Sequence, residues 1–531
     1  MSDWANRENQ RQQPESWTSR SVKGVVATAH WLASHAGAEI LDQGGNAVDA
    51  AIASSLALGV CEPAGSGLGG MATMLVFHAG SGRTFTIENP CRAPLLATPE
   101  RVAQAGRYRG YPAVAVMTYV SVMAHTLSHY GTMAPSQVLA PAIRLAEEGY
   151  PVSPFQHKLL QRYKNVLKAG SVYKQYFDAH DEVMPAGTIY RQPDLARTLK
   201  RLATAGFNDF YQGEIASVIA KDMASSGGFI TADDLISLPR PVERKPLSTL
   251  FRDSIVYTVG PPGGGVALLE MLNLFDVLVD RKFDPDRPEG CILLAEIIRR
   301  ARSDRRHFRL RTGADKLANA SELLTKEYAN RTAQEIRESL SESGETSHLS
   351  VIDSFGNAVA ITQSIERSFG AAEMSHDLGF LYNGFMRAFK VENRRHPHYL
   401  RPGAVVRSNA VPSLICKGDN PTAALGSTGS ERAPSGVFQV LVRLAMGQTP
   451  FEAVQAPRLH CTPEREVLLE AERFPDAVTK QLSSQGFNVH VLEPYAFKMG
   501  AIQLVVRNDE GIVGVADPRR DGAAIGAAAE G

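Results

Sequence analysis

Residues 344–364 read GETSHLSVIDSFGNAVAITQS, and the rest of the chain is organised around this stretch. The segment SHLSVI favours a strand, DSFGN carries the Asp, Gly and Asn of a tight turn, and AVAITQS favours a return strand. A hairpin centred on Phe355 pairs Thr346 with Ser364 on one face, with Cβ atoms roughly 4.5–5.5 Å apart. The stretch therefore predicts two neighbouring hydroxyls, and an ordinary Thr/Ser cross-strand contact is the alternative.

The first of these hydroxyls has a chemical use if Thr346 becomes an N-terminus. A threonine hydroxyl is a poor nucleophile until a base removes its proton, and an α-amine with a pKa of roughly 7.7–8.0 is such a base. That amine exists in mid-chain only after the chain cuts itself between Glu345 and Thr346. Glu366, just beyond the return strand, is close enough in sequence to reach the same region. A plain strand leading into a hairpin is the competing interpretation.

The residues on either side of Glu345 differ in character. Residues 310–345 are polar and poor in apolar side chains, which is typical of an exposed connector that is open to cleavage. From Ser347 onward the pattern becomes one of strands. Residues 115–310 are mostly helical in pattern, and one of the predicted helices runs from Phe210 to Ser226. The first 20 residues are polar and charged, and they predict a flexible tail.

The N-terminal part predicts a helix packed inside a layered protein. Gly24 to Ala29 favours a strand, and Asn46 is a suitable N-cap for a helix that continues to about Val60. This helix is small or apolar on every side, as expected of a helix between layers. The GxGxxG pattern at 65–70 follows a helix and precedes a strand, the reverse of a dinucleotide-binding turn.

Composition excludes several classes of protein. The 531 residues are 44% hydrophobic and 21% charged, and 56 basic residues balance 56 acidic ones. This balance argues against nucleic-acid binding and against electrostatic membrane attachment. Five scattered cysteines without a CxxC pair suggest neither disulfides nor a zinc site, and His396 and His398 read as loop histidines. We therefore expect a cytoplasmic protein without metal, cofactor, nucleic-acid or membrane partner.

A small-residue loop is a second candidate for chemistry. Residues 426–430, GSTGS, follow the apolar run Ala423 to Leu425. Backbone amides in such a loop can stabilise an oxyanion. A plain turn can have the same sequence, so the loop indicates an oxyanion hole only if a nucleophile lies near it.

Several motifs occur in an order that resembles the gamma-glutamyltransferase family of N-terminal nucleophile hydrolases. The resemblance runs from about Val25 to about Pro518, nearly the whole chain. The motifs are LASHAGAEILDQGGNAVDAAIA (32–53), EPAGSGLGG (62–70), LAPAIRLAEEGYPVS (139–153), FYQGEIA (210–216), GGFITADDL (227–235), ETSHLSVIDSFGNAVAITQS (345–364) and GSTGSERA (426–433).

The resemblance implies an α+β fold, a four-layer αββα sandwich, and autocleavage between Glu345 and Thr346. It makes Thr346 the nucleophile and Ser364 the second hydroxyl, where the family normally has threonine. Gly429 and Ser430 match the pair whose amides form the oxyanion hole, with Ser430 replacing a glycine. After cleavage, a large subunit and a small subunit stay together as one intertwined catalytic heterodimer, and a dimer of such heterodimers is left open. The predicted divisions are a tail (1–20), the large subunit (21–345) and the small subunit (346–531).

Two departures concern the group that holds the substrate carboxylate in the family. The family places an arginine before an Ala-Pro pair, but that register holds Pro90 here, and Arg92 follows two residues later. The family also uses two serines, where Ser408 and Asn409 stand in this chain. Arg92, Ser408 and Asn409 are therefore the predicted substrate-binding residues on this side.

Two further departures concern the group that holds the substrate amine. The family uses a glutamine and an aspartate, and the aligned positions are Phe385 and Ala388, with Arg387 beside them. Glu366 stands where the family has asparagine. Because an apolar residue and a cation do not bind an ammonium group as a carboxylate does, glutathione is an unexpected substrate. Arg387 and Glu366 complete the predicted substrate site, and Glu366 keeps amine binding open. For Arg387 and for Arg92, a structural salt bridge or a solvated side chain is the alternative.

The sequence therefore predicts an autoprocessing amide hydrolase that acts on a small acidic amide. It is similar in pattern to the branch of oxamate amidohydrolases and cephalosporin acylase-like proteins. The first alternative is a gamma-glutamyltransferase or glutathione hydrolase. The second is an uncleaved pseudoenzyme that acts as a binding protein.

Overall fold

The computed structural model describes residues 17–106, 108–279, 283–311, 323–325, 328, 346–375, 377–396 and 398–528. Glu345 and most of the predicted connector lie outside the described residues, as do residues 1–16. Leu323 and Tyr328 of the connector are described and buried, packed against Val266, so the prediction of an exposed segment is wrong for these two.

The regular elements alternate between strands and helices in the first half and are richer in strands in the second half. In chain order, the strands are β1 (Thr18–Ser21), β2 (Gly24–Thr28), β3 (Met71–His78), β4 (Arg83–Glu88), β5 (Tyr150–Pro151), β6 (Ile189–Tyr190), β7 (Val242–Arg244), β8 (Leu247–Phe251), β9 (Ser254–Thr258), β10 (Ser347–Asp353), β11 (Ala358–Ser364), β12 (Ser413–Lys417), β13 (Asn420–Ser427), β14 (Leu459–Cys461), β15 (Glu466–Leu469), β16 (Asn488–Val491), β17 (Ile502–Asn508), β18 (Gly511–Ala516) and β19 (Ala523–Gly526).

The α-helices are α1 (Trp31–Asp42), α2 (Ala47–Cys61), α3 (Pro99–Ala105), α4 (Tyr119–Tyr130), α5 (Pro135–Glu148), α6 (Pro154–Arg162), α7 (Lys164–Lys168), α8 (Tyr173–Tyr176), α9 (Pro193–Ala205), α10 (Asp209–Gln212), α11 (Glu214–Ser225), α12 (Ala232–Ile236), α13 (Gly265–Leu278), α14 (Pro288–Arg311), α15 (Ala433–Ala445), α16 (Pro450–Gln455) and α17 (Asp476–Ser484). Short 3₁₀ helices are Ala79–Ser81, Tyr111–Ala113, Phe385–Ala388, Ser430–Arg432, Ala471–Arg473 and Phe497–Met499.

Two large antiparallel sheets form the centre of the molecule. The first sheet has seven strands in the order β19-β2-β10-β11-β3-β4-β7, and the second has seven in the order β1-β18-β17-β13-β12-β9-β8. They pack face to face, with an apolar layer between them that includes Val25, Leu75, Ile352, Ala424 and Val505. The hairpin β10–β11 is central in the first sheet, so both of its strands are buried along their length.

Helices cover the outer faces of both sheets. Helices α1 and α2 pack on the first sheet, and α13 and α15 pack on the second. Asn46 caps α2 as predicted, because its side chain accepts hydrogen bonds from the amides of Val48 and Asp49 at 2.8 and 3.0 Å. The small apolar residues of α2 are almost all buried, so the prediction of a helix inside a layered protein is confirmed.

The predicted hairpin register is confirmed. Ile352 pairs with Ala358, and the ladder continues without a bulge to Ser347 opposite Gln363. The Asp353 carboxylate fixes the turn by accepting the Asn357 amide at 2.9 Å. Its other oxygen accepts the Ala47 amide at 2.7 Å, which ties the turn to the start of α2.

Two expectations are corrected. Residues 18–20 of the expected tail are in strand β1, where Thr18 to Ser21 pair with Val515 to Ile512, because the exposed edge of the second sheet offers them backbone partners. The helix expected from Phe210 to Ser226 breaks at Gly213. The Asp209 carboxylate lies there and accepts the amides of the next helix, including that of Ile215 at 3.2 Å.

The five cysteines are all buried and free. In the described part of the chain, no helix combines the length and the apolar character needed to cross a membrane.

Candidate active site

Thr346 lies at the open end of the hairpin, one residue before β10, and is 9% exposed. It lines a narrow pocket together with Glu62, Gly65, Glu366 and Arg520. The free volume is about 10 Å³, which is the space of about one water molecule. The pocket is therefore small enough to hold a reacting group against the Thr346 side chain.

Ser364 is opposite Thr346 when the observed register is extended by one residue. Its side chain is mostly buried, and its Oγ accepts the Glu366 amide at 2.8 Å. Glu366 has a φ of +81°, a left-handed conformation that is uncommon for a residue with a Cβ. This turn returns the Glu366 side chain to the pocket of Thr346, as the sequence predicted.

A polar link that the sequence interpretation missed connects the hairpin to the second sheet. The Ser347 hydroxyl donates to Glu62 at 2.8 Å, and the Arg520 guanidinium lies 3.7 Å from the same carboxylate. Arg520 also donates to the Thr428 hydroxyl at 3.4 Å. Glu62 is the first residue of the glycine-rich motif at 62–70. A charged residue beside that loop was the sequence signal that could have indicated this polar link.

The loop after β13 lies at the same edge as Thr346. The His348 ring is so close to Gly426 that a Cβ on the glycine would approach it within 2.3 Å. Thr346 lies two residues before His348, and Gly429 lies three residues after Gly426. The ends of β10 and β13 therefore meet where the two sheets face each other.

The amides of Gly429 and Ser430 are suited to bind an oxygen anion. Both residues have positive φ, +90° and +49°, and they begin the short 3₁₀ helix Ser430–Arg432 that leads into helix α15. Within the described residues, neither amide N–H donates a hydrogen bond. Gly429 also packs against Gly500, whose Cα would be 2.8 Å from an added Cβ, so the close approach requires glycine.

Ser408 and Asn409, predicted to bind substrate, make contacts with other parts of the site. The Ser408 Oγ accepts the Ala410 amide at 3.0 Å. The Asn409 side-chain amide donates to the Ser430 Oγ at 3.0 Å, while its Oδ1 is buried without a partner. Asn409 thus holds the residue whose amide is the predicted oxyanion donor.

Glu366 is surrounded by guanidinium groups. Arg387 lies 3.0 Å away, and Arg367 and Arg407 act on it over longer distances. Burial raises the pKa of the Glu366 carboxyl, and Arg387 opposes that rise most strongly. One of its two oxygens, Oε2, is buried without a hydrogen-bond partner.

The positive charges extend beyond this pair. Arg407 also lies 3.6 Å from Glu431, which accepts Arg302 at 2.7 Å, and Arg305 donates to the Ser408 carbonyl at 2.6 Å. Burial lowers the pKa of Arg305 to about 10, so it stays charged at neutral pH. The cations outnumber the carboxylates Glu366 and Glu431; they are Arg109, Arg302, Arg305, Arg367, Arg387 and Arg407.

Arg92 is not brought to the Thr346 pocket. The backbone of Arg92 forms isolated antiparallel β-bridges with Val116 and Val405. Within the described chain, its side chain makes no hydrogen bond or ion pair. Burial lowers its pKa, and its Nε has no partner. Phe385, at the position aligned with the family glutamine, is buried in the same apolar cluster as Val406.

His348 is a buried neutral residue between the sheets. Burial lowers its pKa to about 3, and its ring nitrogens contact Thr362 and Ser350, each at 3.0 Å. These partners hold the ring in place and leave no nitrogen for catalysis. Among the residues that the structure covers, no group of three or more His, Cys, Asp or Glu side chains is arranged to hold a metal ion.

The site thus combines the hydroxyls of Thr346 and Ser364, the amides of Gly429 and Ser430, and the arginines around Glu366. It lies in a mixed α+β fold with two large antiparallel sheets. Among solved structures, a cephalosporin acylase from Bacillus halodurans shares this fold with a TM-score of 0.88 at 29% identity, covering 98% of this chain and 99% of that chain. The gamma-glutamyltranspeptidase family matches residues 33–527.

Two relatives match over nearly their whole length. The glutathione hydrolase-like YwrD proenzyme of Bacillus subtilis (strain 168) is 30% identical over 532 residues, 95% of this chain and 98% of the relative. The acylase ACY 1 proenzyme of Pseudomonas sp. (strain SE83) is 31% identical over 533 residues, 95% of this chain and 93% of the relative. The chain belongs to the gamma-glutamyltranspeptidase family, and the resemblance drawn from its motifs is confirmed.

Proposed function

We propose that this chain is a proenzyme that cuts itself between Glu345 and Thr346 and then hydrolyses an amide with Thr346 as the nucleophile. The observation that carries the proposal is the hairpin register, which sets Thr346 opposite Ser364 beside the free amides of the loop after β13. The relatives named proenzymes add support. In this proposal the described layers form the αββα sandwich of N-terminal nucleophile hydrolases.

The proposed reaction uses groups at known positions. The new α-amine of Thr346 takes the proton of its own Oγ, which attacks the amide carbonyl and forms a C–O bond. The amides of Gly429 and Ser430 stabilise the oxyanion that forms. The C–N bond then breaks as the leaving amine receives the proton. Water hydrolyses the acyl ester and regenerates Thr346, while Ser364 keeps the threonine side chain oriented.

The proposed substrate is a small acidic acyl amide other than glutathione. The excess of arginine around Glu366 favours an anionic acyl group, and Phe385 offers no polar contact to an amine. Arg387 is engaged with Glu366, so the anion competes with that carboxylate for the guanidinium. Arg92, remote from the pocket in this structure, is not needed for this proposal.

Processing is tested by denaturing electrophoresis of the purified protein with mass spectrometry of the fragments. We expect two fragments, the smaller beginning at Thr346, and a single uncleaved chain for Thr346→Ala. One intact wild-type chain that turns over no amide would favour the pseudoenzyme and refute the proposal.

Substrate class is tested with oxamate, glutaryl and γ-glutamyl amides, following release of ammonia or amine. We expect the acidic amides without an α-amine to be turned over fastest. The unpartnered Oε2 of Glu366 favours the second candidate, γ-glutamyl hydrolysis or transfer, because a buried carboxylate can bind an ammonium group. Rapid release of glutamate from glutathione would establish that candidate. The dimer of heterodimers and the cytoplasmic location stay predictions.

A further inference from the structure

The two amides that are suited to bind an oxyanion are held in different ways. Gly429 adopts its left-handed conformation without a steric penalty, and its close packing against Gly500 fixes its place. Ser430 has a φ of +49°, and this conformation costs free energy for any residue with a Cβ. The orientation of the Ser430 amide therefore depends on a contact that offsets this cost.

The side chain of Ser430 makes such a contact with Asn409. The side-chain amide of Asn409 donates to Ser430 Oγ at 3.0 Å. Asn409 lies shortly before β12 and Ser430 lies shortly after β13, and these two strands form an antiparallel hairpin. The hydrogen bond therefore joins the two chain segments at the open end of this hairpin.

The backbone on both sides of Asn409 is fixed by other segments. Arg305 donates to the Ser408 carbonyl at 2.6 Å, and the Gly264 amide donates to the Ala410 carbonyl at 2.7 Å. A Cβ on Gly264 would lie 2.8 Å from the Asn409 carbonyl oxygen, so the two segments are in close contact. Since the Asn409 backbone is held in place, its side chain can hold Ser430 in turn.

The contact has two local costs. One is the left-handed conformation of Ser430. The other is the Oδ1 atom of Asn409, which is buried and has no hydrogen-bond partner among the described residues, a state that lowers stability. Proteins keep costs of this kind mainly at functional sites, so the contact is explained better by function than by stability.

We propose that Asn409 is a positioning residue of the oxyanion hole. Its hydrogen bond holds Ser430 in the left-handed conformation, and this conformation directs the Ser430 amide at the oxyanion that forms when Thr346 attacks. The inference rests on the proposed function. Asn409 acts through Ser430 and does not contact the substrate, so its loss slows the chemical steps and leaves substrate affinity unchanged. Ser430→Gly removes the need for this support, because glycine adopts a positive φ freely.

A double-mutant cycle tests the proposal. Asn409→Ala and Ser430→Gly are made singly and together, and their kinetics are measured on the amide that the wild-type enzyme hydrolyses fastest. We expect Asn409→Ala to lower kcat about 10-fold, less than the 100-fold or more for complete loss of an oxyanion donor. Because acylation and deacylation both pass through an oxyanion, both steps should slow together and KM should stay the same.

The background decides the result. Added to Ser430→Gly, the Asn409→Ala substitution should change kcat by less than about twofold, because the two residues act as one unit. Asn409→Ser, whose side chain is too short to keep the 3.0 Å contact, should show the same loss and the same rescue, and it decides the test if Asn409→Ala fails to process. The control is Asn208→Ala, which removes an exposed amide that donates to Gln212 and should keep the wild-type kcat.

Three results would overturn the proposal. An equal fall in kcat in both backgrounds would show that the effect does not pass through Ser430. A raised KM with an unchanged kcat would make Asn409 a substrate ligand that binds through Oδ1. An unchanged kcat and KM in Asn409→Ala would show that the contact has no part in the reaction.

Two measurements separate this proposal from folding and from the proposed function. Each rate is divided by the processed fraction from denaturing electrophoresis and by the folded fraction from urea unfolding. A loss of kcat that disappears after this correction would overturn the positioning role. A processed wild-type enzyme that turns over no amide would refute the hydrolase, and the role of Asn409 with it. Wild-type turnover without coupling between Asn409 and Ser430 would refute the positioning role alone.

Discussion

The hairpin register predicts that the Ser364 hydroxyl contributes to catalysis by Thr346. Its Oγ already accepts the Glu366 amide, so its proton is available to the oxygen of Thr346. We expect Ser364→Ala to lower kcat for amide hydrolysis by about 100- to 1,000-fold, the range for removal of one positioned hydrogen-bonding group. Ser364→Thr, which restores the family residue, should retain activity. Normal processing and turnover in Ser364→Ala would contradict the role assigned to the Ser364 hydroxyl.

Glu366 decides between the two substrate classes. With Glu366→Gln, Arg387 loses its carboxylate partner, so we expect KM for an acidic amide to fall several-fold and KM for a γ-glutamyl amide to rise. Steady-state kinetics on the matched pair of substrates measures both changes. A raised KM for the γ-glutamyl amide together with an unchanged KM for the acidic amide would support the γ-glutamyl alternative.

The raised pKa of Glu366 adds a pH dependence to this result. A carboxyl with a raised pKa takes up its proton at a higher pH than usual, and the neutral form no longer competes for Arg387. KM for an anionic amide should therefore fall as pH falls through that pKa, as long as the substrate stays ionised. The effect should be absent in Glu366→Gln, and its persistence there would assign it to another group.

His348 sets a pH dependence of stability. Its pKa is lowered by burial to about 3, against about 6.5 in an unfolded chain. The unfolded state therefore binds a proton between these values while the folded state does not, so stability is lost as pH falls below 6.5. From pH 7 to pH 5 this one residue should cost about 2 kcal/mol.

The matched comparison is His348→Gln, with both proteins in the uncleaved Thr346→Ala background. Gln can keep hydrogen bonds to Thr362 and Ser350 but does not titrate. Urea unfolding at pH 7 and pH 5 should show the loss in the protein with histidine and a smaller loss in the variant. Equal losses would show that His348 is solvated or protonated in the folded state.

At the scale of elements, the loop that carries Gly429 depends on a turn behind it. Gly500 packs against Gly429, and its carbonyl accepts Arg458 at 3.1 Å. Arg458 in turn lies 2.6 Å from Asp517, and both side chains are almost fully buried. Asp517 also accepts the Ile502 amide at 2.9 Å, so a buried ionic network fixes the turn.

Removing one member of this network should be costly. Breaking a buried ion pair leaves its partner uncompensated and costs about 3–5 kcal/mol, so we expect Asp517→Asn to destabilise the chain by that amount. Asp194→Asn breaks an exposed pair with Arg197 and should cost at most about 1 kcal/mol. Urea unfolding measures both, and equal costs would show that the network contributes no more than a surface pair.

The elements also show how far local sequence determines the site. The hairpin was predictable because its turn residues fix the register of the strands next to them, and Asn46 was predictable as a cap for the same local reason. The contact of Ser347 with Glu62 spans 285 positions, and only the packing of the layers brings them together. The Glu366–Arg387 pair depends on a loop without periodic pattern, so the sequence left open whether Arg387 binds substrate or forms a salt bridge and did not identify its partner.

For the whole molecule, the bond between Glu345 and Thr346 divides both sheets. Each sheet contains strands from both sides of the bond, so neither predicted subunit contains a complete sheet. Residues after the bond supply β10, β11 and β19 of the first sheet and β12, β13, β17 and β18 of the second, and residues before it supply the others. The proposed cleavage would therefore break one peptide bond and leave the central hairpin paired on both sides.

This interleaving predicts how the cleaved protein behaves. Separating the two chains would break the ladder of β10 with β2 and that of β11 with β3, with a net loss of about 0.5–1.5 kcal/mol for each hydrogen bond. We expect the wild-type fragments to elute together in native size-exclusion chromatography, at the same volume as uncleaved Thr346→Ala. Fragments that separate without denaturant would contradict the sheet order. Residues 346–531 expressed alone should not fold, because both strands of the central hairpin would then lack their outer partners and expose unpaired edges.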